Sequence, residues 1–147
     1  MSTTPEQIVD HISGALVQAA PDGWNRIHLK VRASVLAREY ELSVTLGDGR
    51  PAPVEIPMEV KSDLVDLRPL MYQPGRGTWI TASLTLVAPD HREIAFNYDE
   101  DPEWWPDLPP VIFSSDLAEF PREDEHIPGW LQDKLAQAAQ AGENRDG

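Results

Sequence analysis

Histidine is the side chain most ready to move a proton or ligate a metal near neutral pH. This chain has four, His11, His28, His91 and His126, and none is close enough to another to form a zinc pair on one helical turn. His28 falls on the polar side of an alternating segment and His91 in a turn, where a solvated imidazole is the ordinary outcome. There are no cysteines, which removes thiolate metal sites, cysteine nucleophiles and disulfide staples together. No glycine-rich phosphate loop and no Gly-x-Ser-x-Gly turn occurs. The run Asp99-Glu100-Asp101-Pro102-Glu103 offers oxygen ligands to a hard cation, but it lacks the Asp-x-Asp-x-Asp-Gly spacing and the distal glutamate of a calcium loop. No catalytic, metal-binding or cofactor-binding residue is expected, and the chain reads as a non-enzyme. The remaining hydrolytic reading, the acidic cluster with His126, needs an enclosed pair of carboxylates that spacing alone does not supply.

What does stand out is acidic and aromatic. The 147 residues contain 12 Lys and Arg against 25 Asp and Glu, a net charge of −13. A surface of that sign repels nucleic-acid phosphates and anionic lipid. The excess is local, because residues 99–125 hold 10 acids and 1 base. Interleaved with them or close by are Trp104, Trp105, Phe113, Phe120 and Trp130. Acid raises the rate at which a basic protein surface is met, and buried aromatic anchors supply affinity. The candidate partner-binding residues are accordingly Asp99, Glu100, Asp101, Glu103, Trp104, Trp105, Asp107, Asp116 and Glu119. Trp24 and Trp79, at strand entrances, read as packing residues.

These residues must be positioned by the elements around them. Thr4-Pro5-Glu6-Gln7 is a helix start, with a capping threonine, proline at the first helical position and glutamine three residues after the cap. Ile8, Ile12, Ala15, Leu16 and Ala19 then recur at helical spacing. From Trp24 the period becomes two: Ile27, Leu29, Val31 and Ala33 alternate with Arg26, His28, Lys30 and Arg32. A second such run sets Tyr40, Leu42, Val44 and Leu46 against Glu39, Glu41, Ser43 and Thr45, so the outer faces carry opposite charge and suit cross-strand pairing. The segment PAPVEIP suits only a short sheet edge. Val60, Leu64, Leu67 and Met71 predict a second helix, with Pro69 expected to fray or kink its end. Two more strands follow, with Ile80, Ala82, Leu84 and Leu86 on one face of the first and Ile94, Phe96 and Tyr98 on one face of the second. The acidic segment 99–125, rich in proline and tryptophan, predicts no regular structure over DEDPEWWPDLPP. A last helix runs from Pro128-Gly129 to about Ala141, with Ile127, Trp130, Leu131, Leu135 and Ala138 as its apolar side and a frayed tail from about 142. One domain over 1–147 with one core is expected. Its fold class is α+β, an antiparallel sheet of four to five strands with an N-terminal, a middle and a C-terminal helix packed on it. No apolar run approaches the roughly 18–20 residues that cross a bilayer and no export signal opens the chain, so a cytoplasmic location is expected.

Several stretches in this order resemble the YezG-type antitoxin family. They are Ala19-Ala20-Pro21-Asp22-Gly23-Trp24 leading into a strand, the strand ending Phe96-Asn97-Tyr98-Asp99, and Asp116-Leu117-Ala118-Glu119-Phe120-Pro121-Arg122 followed by Ile127-Pro128-Gly129-Trp130-Leu131. The resemblance covers about Ile8 to Leu135. It implies a non-enzymatic, cytoplasmic immunity protein that binds the toxic domain of a cognate bacterial polymorphic toxin, often a nuclease, and covers its active site; a NAD-consuming toxin is the other class of partner left open. It transfers no residue set as a binding site. The alternative from a different class is a small adaptor or secretion chaperone that holds a partner helix or peptide on the sheet edge near Val54 to Ile56.

Overall fold

The computed structural model describes residues 3–104 and 108–145, with side chains as far as Gln140. The chain opens with α1 (Pro5–Ala19). Its first turn is closed reciprocally: the Thr4 hydroxyl accepts from the Gln7 N–H at 3.2 Å and the Thr4 N–H donates to Gln7 Oε1 at 3.0 Å. Ile8, Val9, Ile12, Ala15 and Leu16 form its buried stripe. Val9 thus joins the expected set, and Ala19, in the last turn, is exposed instead.

Five strands, β1 (Trp24–Ala33), β2 (Arg38–Leu46), β3 (Pro51–Ala52), β4 (Thr81–Val87) and β5 (His91–Asn97), form one antiparallel sheet in the order β3-β2-β1-β4-β5. The β1–β2 register sets Lys30 opposite Glu41 and Arg32 opposite Glu39, as the outer-face charges predict. Arg32 Nη1 contacts Glu39 at 3.2 Å and Glu41 at 3.0 Å. On the other face Ile27, Leu29, Val31, Val44, Ala82, Leu84 and Leu86 meet the stripe of α1 and the buried Val60, Leu64 and Leu67 of α2 (Met58–Leu70). This is an α+β arrangement with one sheet face covered. The expected open edge near Val54 to Ile56 is corrected: β3 ends at Ala52, and Val54 and Ile56 pack against the core. The long uncovered edge is β5.

α2 passes through Pro69 to Leu70 rather than fraying before it. The proline stands in the last turn, so it forgoes one helical hydrogen bond, and the Met71 N–H still reaches Leu67 O at 3.1 Å and Arg68 O at 3.2 Å. His11 links the two helices, its Nδ1 against the Asp63 carboxylate and its Nε2 3.9 Å from Glu59. The bond to Asp63 raises the His11 pKa above the ordinary 6.5. A raised folded-state pKa means that the stabilisation is complete below the unfolded value and disappears as pH rises through the folded one. His11→Gln is therefore expected to melt below the wild type at about pH 6 and together with it at about pH 9; a gap in melting temperature that is independent of pH would contradict the charge assignment.

The region after β5 differs most from expectation. The described residues of DEDPEWWPDLPP before its last proline carry no helix or strand, as expected, but that proline opens a ten-residue helix that was not expected, α3 (Pro110–Glu119), so the described residues form four helices rather than three. A 3-10 turn at Asp124–His126 leads to α4 (Gly129–Arg145), which extends past the expected end near Ala141. Nor does α4 share the sheet's core. Trp104, Phe113 and Leu131 make a second buried cluster with Ala37, Leu108, Ile127, Trp130 and Leu135. The acids and prolines on either side of 110–119 mask a short helix signal: proline at the first position, with Phe113 and Leu117 one turn apart. Among the described residues no helix is long and apolar enough to cross a membrane.

Candidate partner-binding site

β5 delivers the chain to the acidic run, and Asn97 turns it. Asn97 Oδ1 accepts the N–H of Asp99 at 3.1 Å and of Glu100 at 2.8 Å, while its Nδ2 donates to Glu100 O at 2.8 Å. Asp101 Oδ1 accepts the Glu103 N–H at 2.9 Å. Glu103 has φ of +54°, a left-handed conformation that a non-glycine residue adopts at some cost. From the far side Arg32 Nε donates to Pro102 O at 2.7 Å. These short-range bonds give the acidic loop one shape and leave the side chains of Glu100, Asp101 and Glu103 exposed.

Beneath the loop lies Arg122, whose side chain is 5% exposed although it is charged. Its Nη1 donates to Asp99 Oδ1 at 3.1 Å and to His126 O at 3.0 Å, and its Nη2 to Thr78 O at 3.3 Å and to Tyr98 O. Trp130 Nε1 adds a bond to Asp99 O at 2.8 Å. A buried guanidinium is stable only when its donors are taken up this completely. Room for it comes from Gly77, where an added Cβ would fall 2.6 Å from Arg122 Nε. The residues that follow, Glu123, Asp124 and Glu125, are exposed. Arg122 thereby joins two acidic stretches that are more than twenty positions apart in sequence.

A second buried arginine organises the other side. Arg68 Nη1 and Nη2 meet Asp116 Oδ1 and Oδ2 at 2.7 and 3.1 Å, and Nε donates to Trp79 O at 3.0 Å. Asp116 Oδ1 also accepts the Val35 N–H at 2.9 Å. The guanidinium lies 5.1 Å from the Phe120 ring centre and 5.8 Å from that of Trp79. These contacts fasten α3 to α2 and to the β1–β2 turn.

The nine candidate residues therefore divide. Asp99, Glu100, Asp101 and Glu103 come together on one loop, with Asp99 held by Arg122. Trp104 is corrected: at 9% exposure it is a core residue of the second cluster, not a surface anchor. Asp116 is corrected likewise, its carboxylate 19% exposed and spent on Arg68 and Val35. Phe113 and Trp130 pack edge to face, with ring centres 6.0 Å apart, and Phe120 tilts on Tyr72 at 5.7 Å, so these aromatics serve as internal supports. Glu119 is exposed but lines a separate groove of about 300 Å³ with Val35, Arg38, Val65 and Phe120. Trp105 and Asp107 lie outside the described residues.

The residues the sequence reading missed are Arg68 and Arg122. The one available signal is that Arg122 is the only base in residues 99–125. Among the described residues one group of possible metal ligands occurs, Glu123, Glu125 and His126, with ligand atoms within 4.8 Å of one another at the surface. Nothing beyond that proximity assigns it an ion. No family model matches the chain, and a search of curated proteins finds no match.

Proposed function

We propose that this chain is an immunity protein that binds a cognate secreted toxin domain, a basic nuclease, and neutralises it by setting an acidic surface against the cleft that holds nucleic acid. The observation that carries this reading is the pair of exposed acidic stretches, Glu100-Asp101-Glu103 and Glu123-Asp124-Glu125, joined by the buried guanidinium of Arg122. The carboxylates attract a basic cleft over a distance, and a loop whose backbone is already held loses little backbone freedom when it arrives. The sequence resemblance to YezG-type antitoxins supports the same reading. Trp104 and Trp130 contribute by holding the loop from within.

The test is capture of the tagged protein's partner from the native organism, followed by co-expression of that partner with and without this chain. One basic toxin domain, held at low salt and released by high salt, whose lethality this chain suppresses, is the expected result; a non-toxic exported partner would favour the adaptor reading. With the toxin in hand, the triple variant Glu100→Gln, Asp101→Asn, Glu103→Gln is expected to associate about tenfold more slowly at low salt, with a flatter salt dependence and an unchanged melting temperature. Asp99 is left intact there because Arg122 needs it. Wild-type association kinetics in that variant would exclude charge mimicry.

A further inference from the structure

β5 is the end strand of the sheet and pairs on one side only, with β4. Alternate N–H and C=O groups on its other side are thus turned outward, and among the described residues no other backbone segment pairs with them. Natural sheets blunt such an edge with proline, a bulge, brevity or charged side chains, and β5 carries the last only in its first half, at His91, Arg92 and Glu93. The opposite edge is blunted in two of these ways, since β3 has two residues and one is Pro51. β5 has seven residues, no proline and an unbroken register from His91 to Asn97. Ile94, on the helix side of the sheet, is 39% exposed at the middle of this edge.

Each end of β5 borders an open concavity, and the charges at its start are paired among themselves. Beside its start an open concavity of about 570 Å³ lies between α1 and the β4–β5 turn, bordered by Ser13, Gly14, Val17 and Arg92. An added Cβ on Gly14 would meet nothing within 4 Å, so this space is free. Beside its end a second concavity, about 440 Å³, is bordered by Arg76, Phe96, Tyr98 and Glu100. Beyond the turn at Asn97 stand the exposed Glu100 and Asp101, with Arg76 across the concavity, whereas at the start Arg92 is already paired with Asp10 at 2.6 Å and His91 lies 3.2 Å from Glu93. A strand added to an edge gains affinity from main-chain hydrogen bonds and specificity from pockets that take alternate side chains. We propose that the free edge of β5 receives an extended segment of the partner protein, running antiparallel to β5, apolar opposite Ile94 and basic at its N-terminal end, which lies against Glu100 and Asp101. This rests on the reading of the chain as a protein-binding immunity protein and names the surface it uses.

The probe is a fluorescein-labelled decapeptide with two N-terminal arginines followed by alternating threonine and valine, compared with the same composition carrying its arginines at the C-terminal end. Anisotropy titration with the full chain is expected to show at least about fivefold tighter binding of the first peptide, and at least about tenfold weakening by Ile94→Lys, which puts a charge at the centre of the edge. Should Ile94→Lys fold poorly by circular dichroism, Glu100→Gln with Asp101→Asn serves as the second variant, and it is expected to remove the discrimination between the two peptides. Equal affinities, or binding indifferent to both variants, overturns the proposal. A concentration-dependent dimer that Ile94→Lys dissolves, with neither peptide bound, also overturns it and gives the edge to a second copy. If the peptides fail while toxin is still neutralised, the edge is excluded and the immunity reading survives; if the peptides discriminate while no toxin is captured, the edge is upheld and the toxin is not.

Discussion

Replacing Arg68 with methionine is expected to destabilise the protein by about 3–5 kcal/mol, the range for breaking a buried ion pair by removing one partner. The substitution keeps most of the aliphatic volume and removes three donors, leaving the Asp116 carboxylate, at 19% exposure, with only the Val35 N–H, and Trp79 O without its bond. An unpaired and largely desolvated carboxylate costs more than the bond it lost, which is why removing the cation should be worse than removing both charges. Arg68→Met with Asp116→Leu is accordingly expected to recover a large part of the loss. Urea melts of the two single variants and the double variant measure this directly, and additive losses would show that the pair is not coupled.

Gly77→Ala should be nearly as costly, at about 2–4 kcal/mol, for two separable reasons. Gly77 has φ of +81°, where an L-residue loses roughly 1–2 kcal/mol. The new methyl would also fall 2.6 Å from Arg122 Nε and 3.0 Å from its Cγ. That side chain cannot swing aside, because its donors are fixed on Asp99, His126, Thr78 and Tyr98. The conformational part persists in Gly77→Ala with Arg122→Ala, whereas the collision is gone. The double variant should therefore lose less than the sum of the single ones. Hydrogen exchange adds a local readout: the amides of Asp99 and Glu100 should lose protection in Arg122→Ala even where the sheet keeps its own. Unchanged exchange there would mean that Asn97 alone holds the acidic loop.

What could be read in advance follows from how local each signal is. Thr4, Pro5 and Gln7 cap α1 within four residues. The alternation of Ile27 to Ala33 needed no partner to reveal which face is inward, and the charges of Lys30, Arg32, Glu39 and Glu41 suited the pairing of the first two strands, because a slip by one residue would have turned the charged set of one strand toward the core. α3 was hidden because composition was read over the whole acidic stretch, although the ten residues 110–119 carry only two of its acids. The site was half legible. Acidity marked the loop, but the side chains that shape it come from far away: Arg68 meets Asp116 across 48 positions and Arg122 meets Thr78 across 44. Trp104 shows the same limit from the other direction, since an acidic neighbourhood says nothing about whether a tryptophan points outward or into a cluster supplied by α3 and α4.

The two hydrophobic clusters share no residue, and this gives the acidic loop a mechanical position as well as an electrostatic one. It leaves the first body at Asn97 and enters the second at Trp104, so it is the tether between them. For the C-terminal part to open on that tether, both arginine networks, the Glu123 N–H bond to Gly75 O at 2.7 Å, the Val35 N–H bond to Asp116 and the packing of Ala37 in the second cluster must all break. A partner seated on the loop, as proposed, would touch both sides of it and oppose such opening by mass action. On the function proposed above, a toxin that bound there would also lock shut the protein that holds it, and the complex would resist proteolysis at the tether for as long as it lasts.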